Sequence, residues 1–324
     1  MKSNRLVTAI AVIAGTVFAC AQGPKIERHN PNSIQPLTVA FIGDQGSDRG
    51  AVAVLQLIKA EGADLVLHQG DFDYGDDPDR WDKMITKVLG DEFPYFAAIG
   101  NHDVKRWSGR NGYQAKLQAR LQKNSSASCR GEVGVKFACS YRGLFFIQSA
   151  IGTKPNKPDH PGHLAFIRKQ LAQTDAIWRI CSWHKNQNAM QVGQKSDDVG
   201  WRAYEACRKG GAIVATGHEH SYSRTHLMNN FATQDVASTS GTLEIGQGKS
   251  FAFVSGLGGR SIRNQDQFGP WWAVVYTSDQ KANYGALFCT FFVDGMANRA
   301  RCYFKDIAGN VPDRFELISD HPKT

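Results

Sequence analysis

Five short apolar runs in this chain each end in a residue able to bind a metal ion, and that alternation constrains the fold more than any other feature. The run 37–42 leads into Gly43 and Asp44, and 65–68 into Gly70 and Asp71. The run 95–99 leads into Gly100 and Asn101, 177–183 into His184, and 212–216 into Gly217 and His218, with His220 two residues on. Between them lie segments with helical spacing: 50–60, where Val52, Leu55 and Ile58 share a face, then 81–89, 112–121, 164–171 and 201–208. The runs 135–141 and 144–149, separated by Arg142 and Gly143, read as a hairpin. Beyond residue 240 the pattern is strand and loop, with strands at 251–254, 286–293 and 301–304. Strands alternating with helices predict an α/β layered fold, and the hairpin predicts mixed rather than purely parallel sheets.

In such folds ligands bind where loops leave the carboxyl ends of strands. One Gly-Asp pair is most often a turn, and one histidine most often a structural residue. Five in succession on the same side of a sheet argue for a site. Carboxylates and imidazoles suit iron, zinc and manganese. His218 and His220 project to one face if extended, where they could serve two metals about 3.5–4 Å apart. Asn101 offers a neutral oxygen, and Tyr74 lies three residues after Asp71.

The ordered set GDQG, GDFDYG, GNHD, WH and GHEHSYSR resembles the calcineurin-like metallophosphoesterases over roughly residues 38–260. Tyr74 in GDFDY, the approach from His68 to Asp71 and the GHxHxYxR ending resemble the purple acid phosphatase branch. The resemblance implies a sandwich of two mixed β-sheets flanked by α-helices, with metals at one edge. It implies Asp44, Tyr74 and His220 as ligands of a ferric iron, and Asn101, His184 and His218 as ligands of a second iron, zinc or manganese. Asp71 would bridge the two ions, and His102 would contact phosphate and assist the leaving group, with Asn101 also near the substrate. Such a centre keeps about one positive charge after three anionic ligands and a hydroxide, which attracts phosphate. A phenol titrates near pH 10, so a phenolate ligand favours a strongly acidifying ion such as ferric iron. The implied reaction is hydrolysis of a small phosphate ester by metal-activated water.

The ends and the cysteines point to export. Residues 1–20 have a basic start and an apolar stretch too short to span a bilayer comfortably, as in a signal peptide. Cleavage after Ala21, at the small-x-small pattern Ala19-Cys20-Ala21, or lipidation of Cys20 in a bacterial lipoprotein, are the two readings, the second giving a membrane attachment. Residues 21–36 read as a linker, 37–310 as the catalytic domain and 311–324 as a C-terminal tail. Without Cys20 six cysteines remain, and sequence proximity pairs Cys129 with Cys139, Cys181 with Cys207 and Cys289 with Cys302. The net charge of +8 favours anionic substrates, or serves solubility alone. No long basic run or basic-aromatic ladder indicates specific nucleic-acid binding.

Other features carry less. His184 is followed by Lys185, Asn186, Gln187 and Asn188, without the further substrate-side histidines common in purple phosphatases. Lys185 or Asn188 could replace them, or the segment is a solvated loop. Asp73 reads as a loop residue or a support for the ligands. Residues 246–250 (GQGKS) and 256–260 (GLGGR) lack the spacing of nucleotide-binding loops and read as turns, the latter with the site's rim as an alternative. His160 and His163 read as exposed residues at the start of a helix. A phosphomonoesterase is the leading reading. A phosphodiesterase, or a hydrolase of nucleotides or phospholipid head groups, would use the same core, and a non-catalytic metal-containing surface binding protein is a third.

Overall fold

The computed structural model describes residues 35–153 and 160–321, together with Met1. The signal and linker expectations, and the lipidation of Cys20, lie outside the described residues. In chain order the elements are β1 (Leu37–Ile42), α1 (Arg49–Ala60), β2 (Leu65–His68), α2 (Pro78–Leu89), β3 (Tyr95–Ala97), α3 (Tyr113–Gln122), β4 (Ala127–Glu132), β5 (Lys136–Tyr141) and β6 (Leu144–Ser149). Then come α4 (His160–Ala172), β7 (Trp178–Trp183), α5 (Trp201–Lys209), β8 (Ile213–Thr216), β9 (Tyr222–Thr225), β10 (Leu227–Asn230), β11 (Asp235–Ser238) and β12 (Thr242–Ile245). The last are β13 (Ala252–Ser255), β14 (Trp272–Tyr276), β15 (Gly285–Phe291), β16 (Arg299–Asp306) and β17 (Asp313–Ser319).

Two mixed sheets carry the fold. One runs β12-β17-β16-β15-β1-β2-β3 and the other β14-β9-β13-β8-β7-β6-β5-β4. Strand periodicity builds the layers. In β1, Leu37, Val39 and Phe41 face the core between the sheets, where they join Phe146, Ile180 and Phe253. Ala40 and Ile42 point the other way, against Val54, Leu55 and Ile58 of α1. The second sheet does the same: Phe145, Ile147 and Val214 pack on Ile167 of α4 and Tyr204 of α5. The result is the expected sandwich of two mixed sheets with helices on its outer faces.

Four expectations need correction. Residues Asp313–Ser319, within the stretch expected to be a tail, form β17, which pairs with both β16 and β12 inside the first sheet. Its alternation of buried and exposed residues is that of a half-buried strand. Helix α2 starts three residues before the expected 81, since Asp77 accepts a hydrogen bond from Arg80 N at 3.0 Å and Pro78 opens the helix. His163 is not an exposed residue ahead of a helix. It lies within α4, buried, with Nδ1 2.9 Å from Ser149 Oγ at the end of β6. Strand β15 stops at Phe291 because Phe292 turns left-handed (φ 62°).

All three expected disulfides form. Cys129–Cys139 and Cys289–Cys302 staple directly opposed residues of neighbouring strands. Cys181–Cys207 ties α5 to β7 and closes 26 residues of chain. Three disulfides are the mark of a chain that matures in an oxidising compartment. Constraint of the unfolded chain makes the longest loop the most valuable, about 3 kcal/mol. The Cys181→Ala/Cys207→Ala protein is therefore expected to lose about that much in a urea titration.

Candidate metal centre

The parallel strands β1, β2 and β3 of one sheet and β7 and β8 of the other end at a common edge, and the loops that leave them converge there. Three of the residues at these ends adopt the left-handed backbone region: Asp44 (φ 56°), Asp71 (φ 59°) and His218 (φ 70°). Such conformations cost on the order of 1–3 kcal/mol for a side-chain-bearing residue and concentrate at functional sites. Gly70 lets the loops meet. A Cβ there would lie 2.7 Å from Gly100 Cα and 2.9 Å from His184 Cβ.

All eight residues expected from the sequence come together. On one side, Tyr74 Oη lies 3.3 Å from Asp44 Oδ1, 3.3 Å from Asp71 Oδ2 and 3.1 Å from His220 Nε2. On the other, His184 Nε2 lies 3.2 Å from Asp71 Oδ2, 3.1 Å from Asn101 Oδ1 and 3.2 Å from His218 Nδ1. One atom, Asp71 Oδ2, belongs to both groups. His102 stands beside them, its ring centroid 4.4 Å from that of Tyr74 and its backbone N–H donating to Asp71 Oδ1 at 2.9 Å.

The donor set fits metal binding on its own chemistry. His184 Nδ1 sits 2.7 Å from the Gln69 carbonyl, which can only accept, so Nδ1 carries the proton. In the neutral ring Nε2 then presents a lone pair toward the oxygens of Asp71 and Asn101. Acceptors converging at 3.1–3.2 Å call for a positive charge among them, supplied by a proton on Nε2 or by a metal ion. The same demand is visible in the imidazole itself: burial opposes its charging, yet the Asp71 carboxylate lifts it to about 9. Tyr74 is held far above the ordinary phenol range by burial and by Asp44 and Asp71, so only a strong Lewis acid could make it a phenolate. His220 is aimed by Ser261 Oγ, 2.5 Å from its Nδ1, the kind of support that fixes a ligand's ring.

Several supporting residues were not legible as such. Asp103, the last residue of GNHD, accepts backbone N–H bonds from Gly100 (2.7 Å), Asp71 (2.9 Å) and Phe72 (2.8 Å), and so clamps two ligand loops together. Burial and the neighbouring Asp71 push it up to about 8. Asp73, which does read from the sequence as a loop residue or a support, holds the loop, accepting from Ser47 Oγ at 2.7 Å and from Asp77 N at 3.0 Å. Asn186 donates to the Gly217 carbonyl at 2.6 Å, joining the His184 and His218 loops. Asn188 is committed to the Lys195 carbonyl (2.7 Å), whereas Lys185 pairs with Asp198 (3.1 Å) on the wall of a cavity next to Asn101. The 256–260 segment does border the site. Arg260 N donates to the Asp44 carbonyl at 3.1 Å, and its guanidinium lies 4.6 Å from the centre of the Tyr74 ring. The 246–250 segment is a tight turn closed by Gly246 and Lys249.

The profile of the calcineurin-like phosphoesterase family matches residues 37–222, more than half of the chain. A stretch of 86 residues is 29% identical to purple acid phosphatase 22 of Arabidopsis thaliana, covering 26% of this chain and 20% of that protein. Among solved structures, a purple acid phosphatase from yellow lupin (Lupinus luteus) seeds superposes with a TM-score of 0.66 at 18% identity, over 89% of this chain and 54% of that one. GAP50, the anchor in the inner membrane complex of Plasmodium, superposes at 0.59 with 15% identity over 89% and 90%. The chain thus spans about half the length of the lupin enzyme, and identities this low speak to fold alone. With the family match set beside two donor groups that share one carboxylate oxygen, the chain belongs to the calcineurin-like phosphoesterase family, and its fold is similar to that of the purple acid phosphatases.

Proposed function

We propose that this chain is an exported phosphomonoesterase of acid-phosphatase type that works with two metal ions. The observation that carries the reading is the single oxygen, Asp71 Oδ2, shared between the Tyr74 and His184 groups. Asp44, Tyr74 and His220 would hold a ferric ion, and Asn101, His184 and His218 an iron, zinc or manganese ion, with Asp71 between them. When bound, the pair supplies Lewis acidity and an activated water. The residues do the rest. The Asp103 clamp sets the spacing of the Asp71 and Asn101 loops. His102, beside Tyr74, is placed to give a proton to the departing alkoxide or to stabilise its charge. Completeness of the donor set favours catalysis over a binding role, and the three disulfides support export.

The test is hydrolysis of a matched phosphomonoester and phosphodiester by protein supplied with iron, zinc and manganese in turn. Monoester turnover that chelation abolishes is expected. A diester preference would move the assignment to a phosphodiesterase on the same core, and a fully metallated protein inert on both would favour a binding protein. The ferric assignment has its own readout. The iron-loaded protein is expected to absorb visible light through a tyrosinate–iron transition, and Tyr74→Phe to remove that band. A colourless iron-loaded wild type would overturn the ferric site.

A further inference from the structure

Beside Asn101 opens a cavity of about 850 Å³, a volume within the range of sites for organic ligands of drug size. Asn101 forms one wall, so the cavity and the donor cluster are contiguous. Val104, Leu164 and Trp201 supply apolar wall, and Lys185, Asp197, Asp198 and Arg202 its charged groups. Thr153 is 6% exposed, and its hydroxyl has no hydrogen-bond partner among the described residues. That hydroxyl oxygen is sealed from the cavity, so recognition of a ligand falls to the apolar part of the wall. The charges near it are largely matched. Lys185 is paired with Asp198 at 3.1 Å, and Asp197 is spent on the backbone N–H groups of Val199 and Gly200 ahead of α5. Arg202 stands at the exposed mouth.

Resting on the phosphomonoesterase reading, we infer that this cavity receives the leaving group, and that the substrate is the phosphate ester of a bulky, flat, uncharged alcohol. Trp201, half-buried at the start of α5, supplies the apolar face against which a flat ring packs. With Asp197 and Asp198 set against Lys185 and Arg202, the wall carries no net positive charge to draw an anionic leaving group such as a second phosphate. A small alcohol would leave the apolar walls wet. Lys185, adjacent in sequence to His184, closes the cavity on the metal side without a free charge.

The experiment compares 2-(1-naphthyl)ethyl phosphate with ethyl phosphate, two esters of primary alcohols, and measures binding of 2-(1-naphthyl)ethanol by calorimetry. The expected ratio of kcat/KM favours the naphthyl ester by about 10-fold or more, the scale of apolar pocket contacts. Trp201→Ala should bring the ratio close to one and abolish binding of the alcohol, and Trp201→Phe should restore both. Thermal unfolding of each variant reports whether it is folded. Equal use of both esters by the wild type, with the alcohol unbound, overturns the pocket assignment and leaves the phosphatase reading standing. No turnover of either ester, with alcohol binding that depends on Trp201, overturns the phosphatase reading and supports the pocket. No turnover and no binding overturns both.

Discussion

Asp71→Asn is expected to lower kcat/KM for a phosphomonoester by roughly 10³-fold or more, about 4 kcal/mol of transition-state stabilisation. The substitution is isosteric, so the geometry around it should survive. The retained oxygen can still accept from His102 N at the Oδ1 position, and the backbone N–H of residue 71 remains held by Asp103. What disappears is one negative charge at the only atom common to both donor groups. An amide nitrogen placed there would point its hydrogens toward His184 Nε2 and Tyr74 Oη, the directions from which metal ions must be held. Two losses should therefore appear together: turnover, and bound metal by elemental analysis, falling from about two ions toward one or none. Metal-free stability should fall, because the Asp71 charge that repels the neighbouring Asp103 is also the one paired with the His184 imidazole at 3.2 Å, and losing that pairing outweighs the relief; the metal-free melts of variant and wild type measure this cost apart from the loss of metal. Turnover retained within about tenfold would show that Asp71 does not bridge.

The candidate ligands were legible in the sequence because each lies at a strand end or in the short motif that follows one. A strand's carboxyl end places its next residues on a known side of the sheet, and five such ends have few ways to be arranged. The layered fold was legible for the same reason. The supports were harder, because their contacts are long-range or backbone-directed. Asp103 acts on N–H groups about 30 residues away, which no side-chain pattern announces. Asn186 and Ser261 act through a carbonyl and an imidazole from other loops. The missed strands share a second physical cause. Strand β4 is an exposed polar edge with no buried face to impose alternation. Strand β9 is all buried yet reads Tyr-Ser-Arg-Thr, because Tyr222, Arg224 and Thr225 find partners inside the fold rather than solvent.

That strand leads to the second large effect: Asp313→Ala is expected to cost roughly 3–5 kcal/mol, the range for removing one partner of a buried ion pair. Asp313 accepts from Arg224 Nε at 2.7 Å, from Arg224 Nη2 at 2.9 Å and from Tyr222 Oη at 2.6 Å. These are the tyrosine and arginine of the GHEHSYSR motif, so the motif's end ties the metal edge to β17 across the sandwich. Arg224 also lies 4.1 Å over the Phe315 ring, and the Tyr222 ring stacks on Phe304 at 4.3 Å. Without the carboxylate a guanidinium and a phenol stay buried with their donors unmet, and the apolar surroundings offer nothing in exchange. A thermal midpoint lower by about 10 °C is expected. Because Tyr222 begins β9 two residues after His220, bound metal should fall as that strand loosens. The control is Arg224→Met/Asp313→Leu, which removes both charges. It should recover most of the loss, since apolar replacement of a whole buried pair is often neutral or better. A loss below about 1 kcal/mol for Asp313→Ala would return the last strand to the status of a dispensable tail.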